Sequence, residues 1–169
     1  MTLKNITPDG YECIDEARLL SPGSDEHSIT VCNHGGLAVV FRSGIRFVKR
    51  CFDINVTTFE YVCGIDTTSS SKLLLLGIYR STSHAVNSLF FDELTAVLEQ
   101  ICVLQCPVVI CGDFNIHVDE LENSIAIRLQ QLLESFDCVQ HVSGPTHKAG
   151  HTLDLVITKT ECCYRCCCW

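Results

Sequence analysis

Nine consecutive residues constrain this chain more than any others: Val109-Ile110-Cys111-Gly112-Asp113-Phe114-Asn115-Ile116-His117. The apolar stretch from Val108 to Cys111 is short and rich in β-branched residues, which predicts a buried strand. Gly-Asp-x-Asn then predicts an abrupt exit into a loop. Asp113 and Asn115 stand two residues apart, and in an extended segment such side chains point the same way. A carboxylate and a carboxamide are thus delivered to one strand end, where both can converge on a metal-bound phosphate. Two other strands have related endings. Leu73 to Tyr79 is a continuous apolar run that closes on a phenol, and Leu153 to Ile157 contains a single acid, Asp154. An acid inside an apolar strand is costly to bury alone, so Asp154 requires a partner.

The rest of the pattern mixes strands with helices. Gly35-Gly36 feeds a strand from Leu37 to Phe41, and Ser43-Gly44 predicts a hairpin turn into Ile45 to Val48. Phe52, Ile54 and Val56 alternate with polar residues, as a half-buried strand should. Phe59, Tyr61, Cys63 and Ile65 continue the alternation in shifted register, which predicts a bulge. Ser88 is placed to cap a helix starting at Leu89, with Asp92 and Glu93 near the favourable end of its dipole. Phe90, Leu94, Val97, Leu98 and Ile101 form its apolar stripe. A second helix, roughly Glu122 to Phe136, would bury Ile125, Leu129, Leu132, Leu133 and Phe136. Val139 to Val142 reads as a short strand and Gly144-Pro145 as a turn. Hairpin signals mixed with crossover-length helices give an α/β fold class with mixed sheets. No internal repeat or linker divides the chain, which reads as one domain.

The bulk numbers bound the function. At 169 residues the chain can hold one real core, and 47% hydrophobic with 19% charged residues is a globular composition. The formal net charge of -8 disfavours a dedicated nucleic-acid binder, which shows a basic face. The densest basic cluster is Arg46, Lys49 and Arg50. Tight binding by phosphate neutralisation is therefore not expected of this chain alone, although divalent cations would offset part of the repulsion. Met1 to Gly10 is polar and carries no secretory signal, and the apolar run Leu73 to Ile78 is too short to cross a bilayer. The expected location is intracellular, cytoplasmic or nuclear. The sequons Asn5-Ile6-Thr7 and Asn55-Val56-Thr57 then read as accidents. Of the 13 cysteines, eight are spread from Cys13 to Cys138 beside apolar neighbours and read as buried free thiols. The other five crowd into Cys162-Cys163-Tyr164-Arg165-Cys166-Cys167-Cys168, which has one Cys-x-x-Cys but no distant second pair for zinc.

Taken in order, the Tyr79 block, the Gly112-Asp113-Phe114-Asn115 block and the His151-Thr152-Leu153-Asp154 block resemble the endonuclease/exonuclease/phosphatase superfamily. The phrase from Gly144 to Thr158 is especially similar to the apurinic-type endonuclease domain of non-LTR (LINE-like) retrotransposons. The resemblance runs from about Gly10 to Thr158. It implies two packed mixed β-sheets flanked by helices, a four-layer sandwich that is incomplete here. It divides the chain into residues 1–158 as a partial domain and residues 159–169 as a Cys-rich, non-homologous tail.

The resemblance also implies roles. Tyr79 would donate its hydroxyl to the scissile phosphate. Asp113 would orient or activate the attacking water, with an indirect hold on the metal. Asn115 would bind the phosphate or the metal's surroundings, and Thr152 would lie near the phosphate. Asp154 would hydrogen-bond a catalytic His and fix its tautomer. The implied cofactor is Mg²⁺ and the implied substrate is DNA. In this branch Arg and then Pro usually follow the Tyr; here Arg80 is present, but Ser81 and Thr82 stand where prolines are usual. The family's metal-binding Glu and its Ser-Asp-His block have no counterpart, and His141, His147 and His151 do not match that motif; His147 and His151 read as loop residues approaching the last strand. The expectation is a domain truncated at both ends, with weak or no nuclease activity. Two other classes compete: a non-catalytic remnant that binds a protein or a nucleic acid, and a protein whose Cys tail holds a metal or a lipid.

Overall fold

The computed structural model describes residues 7–17, 36–83 and 85–159. Along the chain come β1 (Tyr11–Ala17), β2 (Gly36–Arg42), β3 (Phe47–Lys49), β4 (Glu60–Asp66), β5 (Leu73–Tyr79) and α1 (Ser88–Cys102). They are followed by β6 (Val108–Asp113), α2 (Ser124–Ser135), β7 (Cys138–Gln140) and β8 (Asp154–Lys159). β1 and β2 form a small antiparallel sheet, and the other six strands form a sheet in the order β3-β4-β5-β6-β8-β7. Within it β5 and β6 are parallel, joined across α1, and the remaining pairs are antiparallel. The fold is α/β, as the sequence pattern predicts, with two packed sheets, as the resemblance implies.

Alternation places the core. Leu74, Leu76 and Ile78 of β5, Val108 and Ile110 of β6, and Leu155 and Ile157 of β8 share a cluster with Phe90, Leu94, Val97, Leu98 and Ile101 of α1. Leu129 and Leu133 of α2 join the same cluster, so both helices cover one face of the large sheet. β1 and β2 lie against β4 and β5, where the side chain of Ile14 approaches Gly64. Among the described residues this gives three layers: helices, six strands, two strands.

Several local expectations change. α1 is capped by Asn87, whose side chain accepts from the Phe90 N–H at 3.2 Å, and Ser88 is the first helical residue. Asn and Ser cap equally well, so adjacent candidates are not separable by type. Asn123 caps α2, which starts at Ser124. Glu93 serves packing more than the helix dipole. Its buried carboxylate accepts the N–H and hydroxyl groups of Thr57 and Thr58 at 2.6–3.0 Å. Burial alone would raise its pKa, but these bonds outweigh it and hold the carboxyl below its ordinary value.

That tether explains why Phe52, Ile54 and Val56 form no strand. The segment's polar groups bond to Glu93, Gln100 and the Tyr61 hydroxyl, while Phe52 and Phe59 enter the core. β4 therefore begins at Glu60 and pairs without interruption from Glu60 to Asp66, so the predicted bulge is absent from that pairing. Ser43-Gly44 does not close a hairpin. β2 pairs with β1 and β3 pairs with β4, so the turn passes the chain from one sheet to the other.

Burial pushes the thiols of Cys63 and Cys138 up to about 12 and about 11. Cys13, Cys102, Cys106 and Cys111 are half-buried and Cys51 is exposed, so burial of the free thiols is graded. Cys32 and the Cys-rich tail lie outside the described residues. Among the described residues no helix is long and apolar enough to cross a membrane.

Candidate active site

The strand register assembles the site. Tyr79 of β5 is the cross-strand partner of Asp113 in β6, and Asp113 is the partner of Asp154 in β8. Cross-strand partners share a face. Three residues far apart in sequence thus form one row at the C-terminal end of β6, on the face away from the helices.

The turn after β6 brings in Asn115. Its backbone is left-handed, at φ 49, a conformation Asn tolerates better than most residues. Its N–H donates to Asp113 Oδ1 at 2.9 Å, closing a tight turn. The two polar side chains therefore meet through a turn, not through the extended segment that their spacing predicts. Phe114 between them is fully buried, and its N–H donates to the Leu153 carbonyl at 3.0 Å. Gly112 sits at φ 141, and a Cβ there would come within 1.9 Å of the Ile78 carbonyl oxygen. Glycine is required for β6 to approach β5 at this point.

Arg80, which the sequence offered only as a family match after Tyr79, holds the turn. The side chain is buried; Nε donates to the Phe114 carbonyl at 2.7 Å, Nη2 to the Asn115 carbonyl at 2.6 Å and Nη1 to the Ser81 carbonyl at 3.1 Å. In return Asn115 Nδ2 donates to the Arg80 carbonyl at 2.7 Å. Burial lowers the Arg80 pKa, while Asp113 and Tyr79 act in the opposite direction. Asp113 is itself raised above the ordinary carboxylate value. Burial is the largest cause and the charge of Asp154 adds to it, against the Asn115 hydrogen bonds and Arg80.

Asp154 and Thr152 depart from their expected settings. Asp154 is exposed, not buried in its strand. Its N–H donates to Thr146 Oγ1 at 3.0 Å, and among the described residues no histidine hydrogen-bonds its carboxylate. As the first residue of β8 it stands where the sheet opens to solvent, so it needs no buried partner. Thr152 is buried and turned away from the row. Its hydroxyl donates to the Gly144 carbonyl at 2.9 Å and its N–H to Asp119 Oδ1 at 2.8 Å.

Tyr79, Asp113, Asn115 and Asp154 line one open cleft of about 520 Å³, together with His117, His147 and His151. His147 and His151 belong to the loop before β8, as expected, but that loop folds back and carries both to the cleft. His117 was not singled out from the sequence. The available signal is its spacing, since residues 113, 115 and 117 alternate with the buried Phe114 and Ile116. The rings of His117 and His151 stack at 3.9 Å between centroids. His117 Nδ1 lies 2.8 Å from Glu120 Oε1, and His151 Nδ1 lies 3.0 Å from Asp119 Oδ2. Hydrogen bonds from the Thr152 N–H and His151 hold Asp119 below its ordinary pKa, and His117 and Asn123 do the same for Glu120. His117, Glu120 and His151 bring one donor atom each within 4.8 Å of one another, a group able to hold a metal ion.

A family described as endonuclease-reverse transcriptase matches residues 73–169, more than half of the sequence. No protein of curated function matches. The fold is similar to the human Nocturnin catalytic domain with bound sulfate, at 17% identity and a TM-score of 0.59, covering 94% of this chain and 62% of that one. It is also similar to an endonuclease/exonuclease/phosphatase family protein from Bacteroides thetaiotaomicron, at 12% identity and TM-score 0.55, covering 93% and 63%. Humanized D. rerio TDP2 gives 14% identity and TM-score 0.54, covering 89% and 61%. The chain thus spans less than two thirds of the length of these solved structures.

Proposed function

The chain belongs to this endonuclease-reverse transcriptase family, and from that premise we propose that its cleft is the phosphate-handling part of a metal-dependent DNA endonuclease of the non-LTR retrotransposon type. The observation that carries the reading is the row Tyr79, Asp113 and Asp154 across three adjacent strands, with Asn115 turned onto it. Phosphodiester hydrolysis needs a polarised phosphorus, an oriented water and a stabilised leaving oxygen.

The donor set suits a hard divalent cation. Asp113 and Asp154 offer carboxylate oxygens from neighbouring strands; burial raises the Asp113 pKa and the Asp154 charge adds to it, a strain that a cation would relieve. Mg²⁺ is held by one or two carboxylates together with substrate phosphates, which matches these two acids at an open cleft. Bound there, it would polarise the phosphoryl oxygens. The Tyr79 hydroxyl would donate to a non-bridging oxygen, and the Asn115 carboxamide would position the same phosphate. Asp113 would orient the attacking water. Arg80 acts through the turn and not on the phosphate, because its guanidinium is committed to backbone carbonyls.

Activity of the chain by itself should be weak. Two carboxylates make a sparse metal site, and a net charge of -8 opposes DNA. The test is nicking of supercoiled plasmid in Mg²⁺ beside an Asp113→Ala control. Slow nicking that disappears in the control supports the reading. Equal nicking by both proteins would place the activity elsewhere and overturn it. Folded protein that does not nick would favour a binding remnant, with the acidic surface pointing to a protein partner.

A further inference from the structure

We propose that His117, Glu120 and His151 form a second metal site, for a zinc-class transition-metal dication, separate from the oxygen donors at Asp113 and Asp154. The donors are two imidazoles and one carboxylate, a set that suits zinc and its first-row neighbours; Mg²⁺ prefers oxygen alone. They come from two loops. His117 and Glu120 follow β6, and His151 precedes β8. Backbone bonds already join these loops: the Phe114 N–H meets the Leu153 carbonyl at 3.0 Å, and the Val118 N–H meets the Thr152 carbonyl at 3.4 Å. The site is therefore pinned in place before any ion arrives.

The geometry is close to what a small dication requires. Metal–nitrogen bonds of 2.0–2.1 Å in a tetrahedron set neighbouring donors about 3.3 Å apart. Glu120 Oε1 lies 2.8 Å from His117 Nδ1, and His117, Glu120 and His151 bring one donor atom each within 4.8 Å of one another, a spread that small side-chain rotations close. The side chains of His117, Glu120 and His151 are between 32% and 46% exposed, which leaves a path for the ion and room for small rotations. Asp119 supplies the backing that metal-bound histidines usually have. One of its oxygens receives the Thr152 N–H at 2.8 Å, and the other holds His151 Nδ1 at 3.0 Å, which leaves Nε2 as the ligating nitrogen of His151.

Binding at this site does not depend on nuclease activity, so its test is separate from plasmid nicking. The full chain, reduced and stripped of metal, is titrated with Zn²⁺ and then with Co²⁺. Its 13 cysteines will bind either ion, so the readout is the difference between proteins and the character of the cobalt spectrum. Against a His117→Ala/His151→Ala variant, the parent should bind one more equivalent, and that equivalent should show cobalt d–d bands without thiolate charge transfer. Asp113→Ala should keep it. Asp119→Asn, which leaves all three proposed ligands in place, should weaken it by about 10–100-fold. A thermal melt of each protein without metal confirms folding. Equal stoichiometry and affinity in the parent and the double variant, or a cobalt spectrum of thiolate character throughout, would overturn the site. Loss of the equivalent in Asp113→Ala would also overturn it, by assigning the ion to the other donors.

Discussion

Asp113 is an anion in a place that discourages one. Its pKa is raised by burial and by Asp154, and this has a definite consequence for stability. Between the ordinary Asp value and the raised one, the folded chain binds more protons than the unfolded chain. Stability therefore falls as pH rises through that window, and the loss is complete above the folded value. Asp113→Asn keeps an oxygen to accept the Asn115 N–H and removes the charge. The variant should melt higher than the parent at pH 7, by a gain on the order of 0.5 kcal/mol because the carboxyl is partly solvated. Below the ordinary carboxylate range the two melting curves should coincide. Any nicking should fall about 100-fold or more. A variant that melts lower at pH 7 would show that the charge stabilises the turn. Tyr79, Asp113 and Asn115 were legible because they stand at or just past the end of an apolar strand, where polar side chains face solvent or a ligand; Asp154 was singled out as an acid inside its strand, and only the fold makes it the exposed first residue of β8. Arg80 and His117 were not. The value of Arg80 lies in carbonyls that only the folded turn presents, and that of His117 in a ring supplied by another loop.

At the scale of elements, the pairing of β5 with β6 is what sets Tyr79 beside Asp113, and Gly112 is where that pairing is tightest. Gly112→Ala would put a methyl group 1.9 Å from the Ile78 carbonyl oxygen at a φ that L side chains rarely adopt. Clash and backbone strain together should cost on the order of 2–5 kcal/mol. Urea unfolding of the variant should show that drop, and the Tyr79–Asp113 register should loosen with it. A midpoint within error of the parent would mean that β6 shifts without loss, and that the glycine is not needed for close approach. Elements with a continuous apolar run or a clear helical stripe, β5, β6, β8, α1 and α2, could be read from sequence. The segment around Phe52, Ile54 and Val56 could not. Its alternation comes from residues packing into or against the core one at a time, and Glu93 takes the backbone N–H groups of Thr57 and Thr58 that a neighbouring strand would otherwise use. Period-two burial is necessary for a half-buried strand but does not by itself supply a ladder partner. Ser43-Gly44 failed for a related reason, since turn chemistry fixes a reversal of the chain but not which sheet receives the next strand.

For the whole molecule, the question is how an acidic chain meets a polyanion. The formal charge is -8, and the topology separates the basic cluster of Arg46, Lys49 and Arg50 from the cleft. β3, which carries Lys49 beside Arg46 and Arg50, pairs with residues 64–66 of β4, whereas the cleft row continues onto β4 at Glu60, the opposite end of that strand. Lys49 is further committed to Glu16 at 2.6 Å, and the Arg80 guanidinium to carbonyls. Lys148, in the loop that carries His147 and His151, is the exposed cation nearest the cleft in sequence. Few phosphates can then be neutralised by side chains. Binding of a short duplex, followed by anisotropy at several KCl concentrations, should give a log–log slope no steeper than about −2. Divalent cation should strengthen binding where KCl barely weakens it, because the ion and not the surface supplies the positive charge. A slope of the size expected from many lysine and arginine contacts would contradict this. It would mean that a basic groove assembles on DNA from residues that the described fold keeps apart, and the acidic balance would lose its force as an argument about partners.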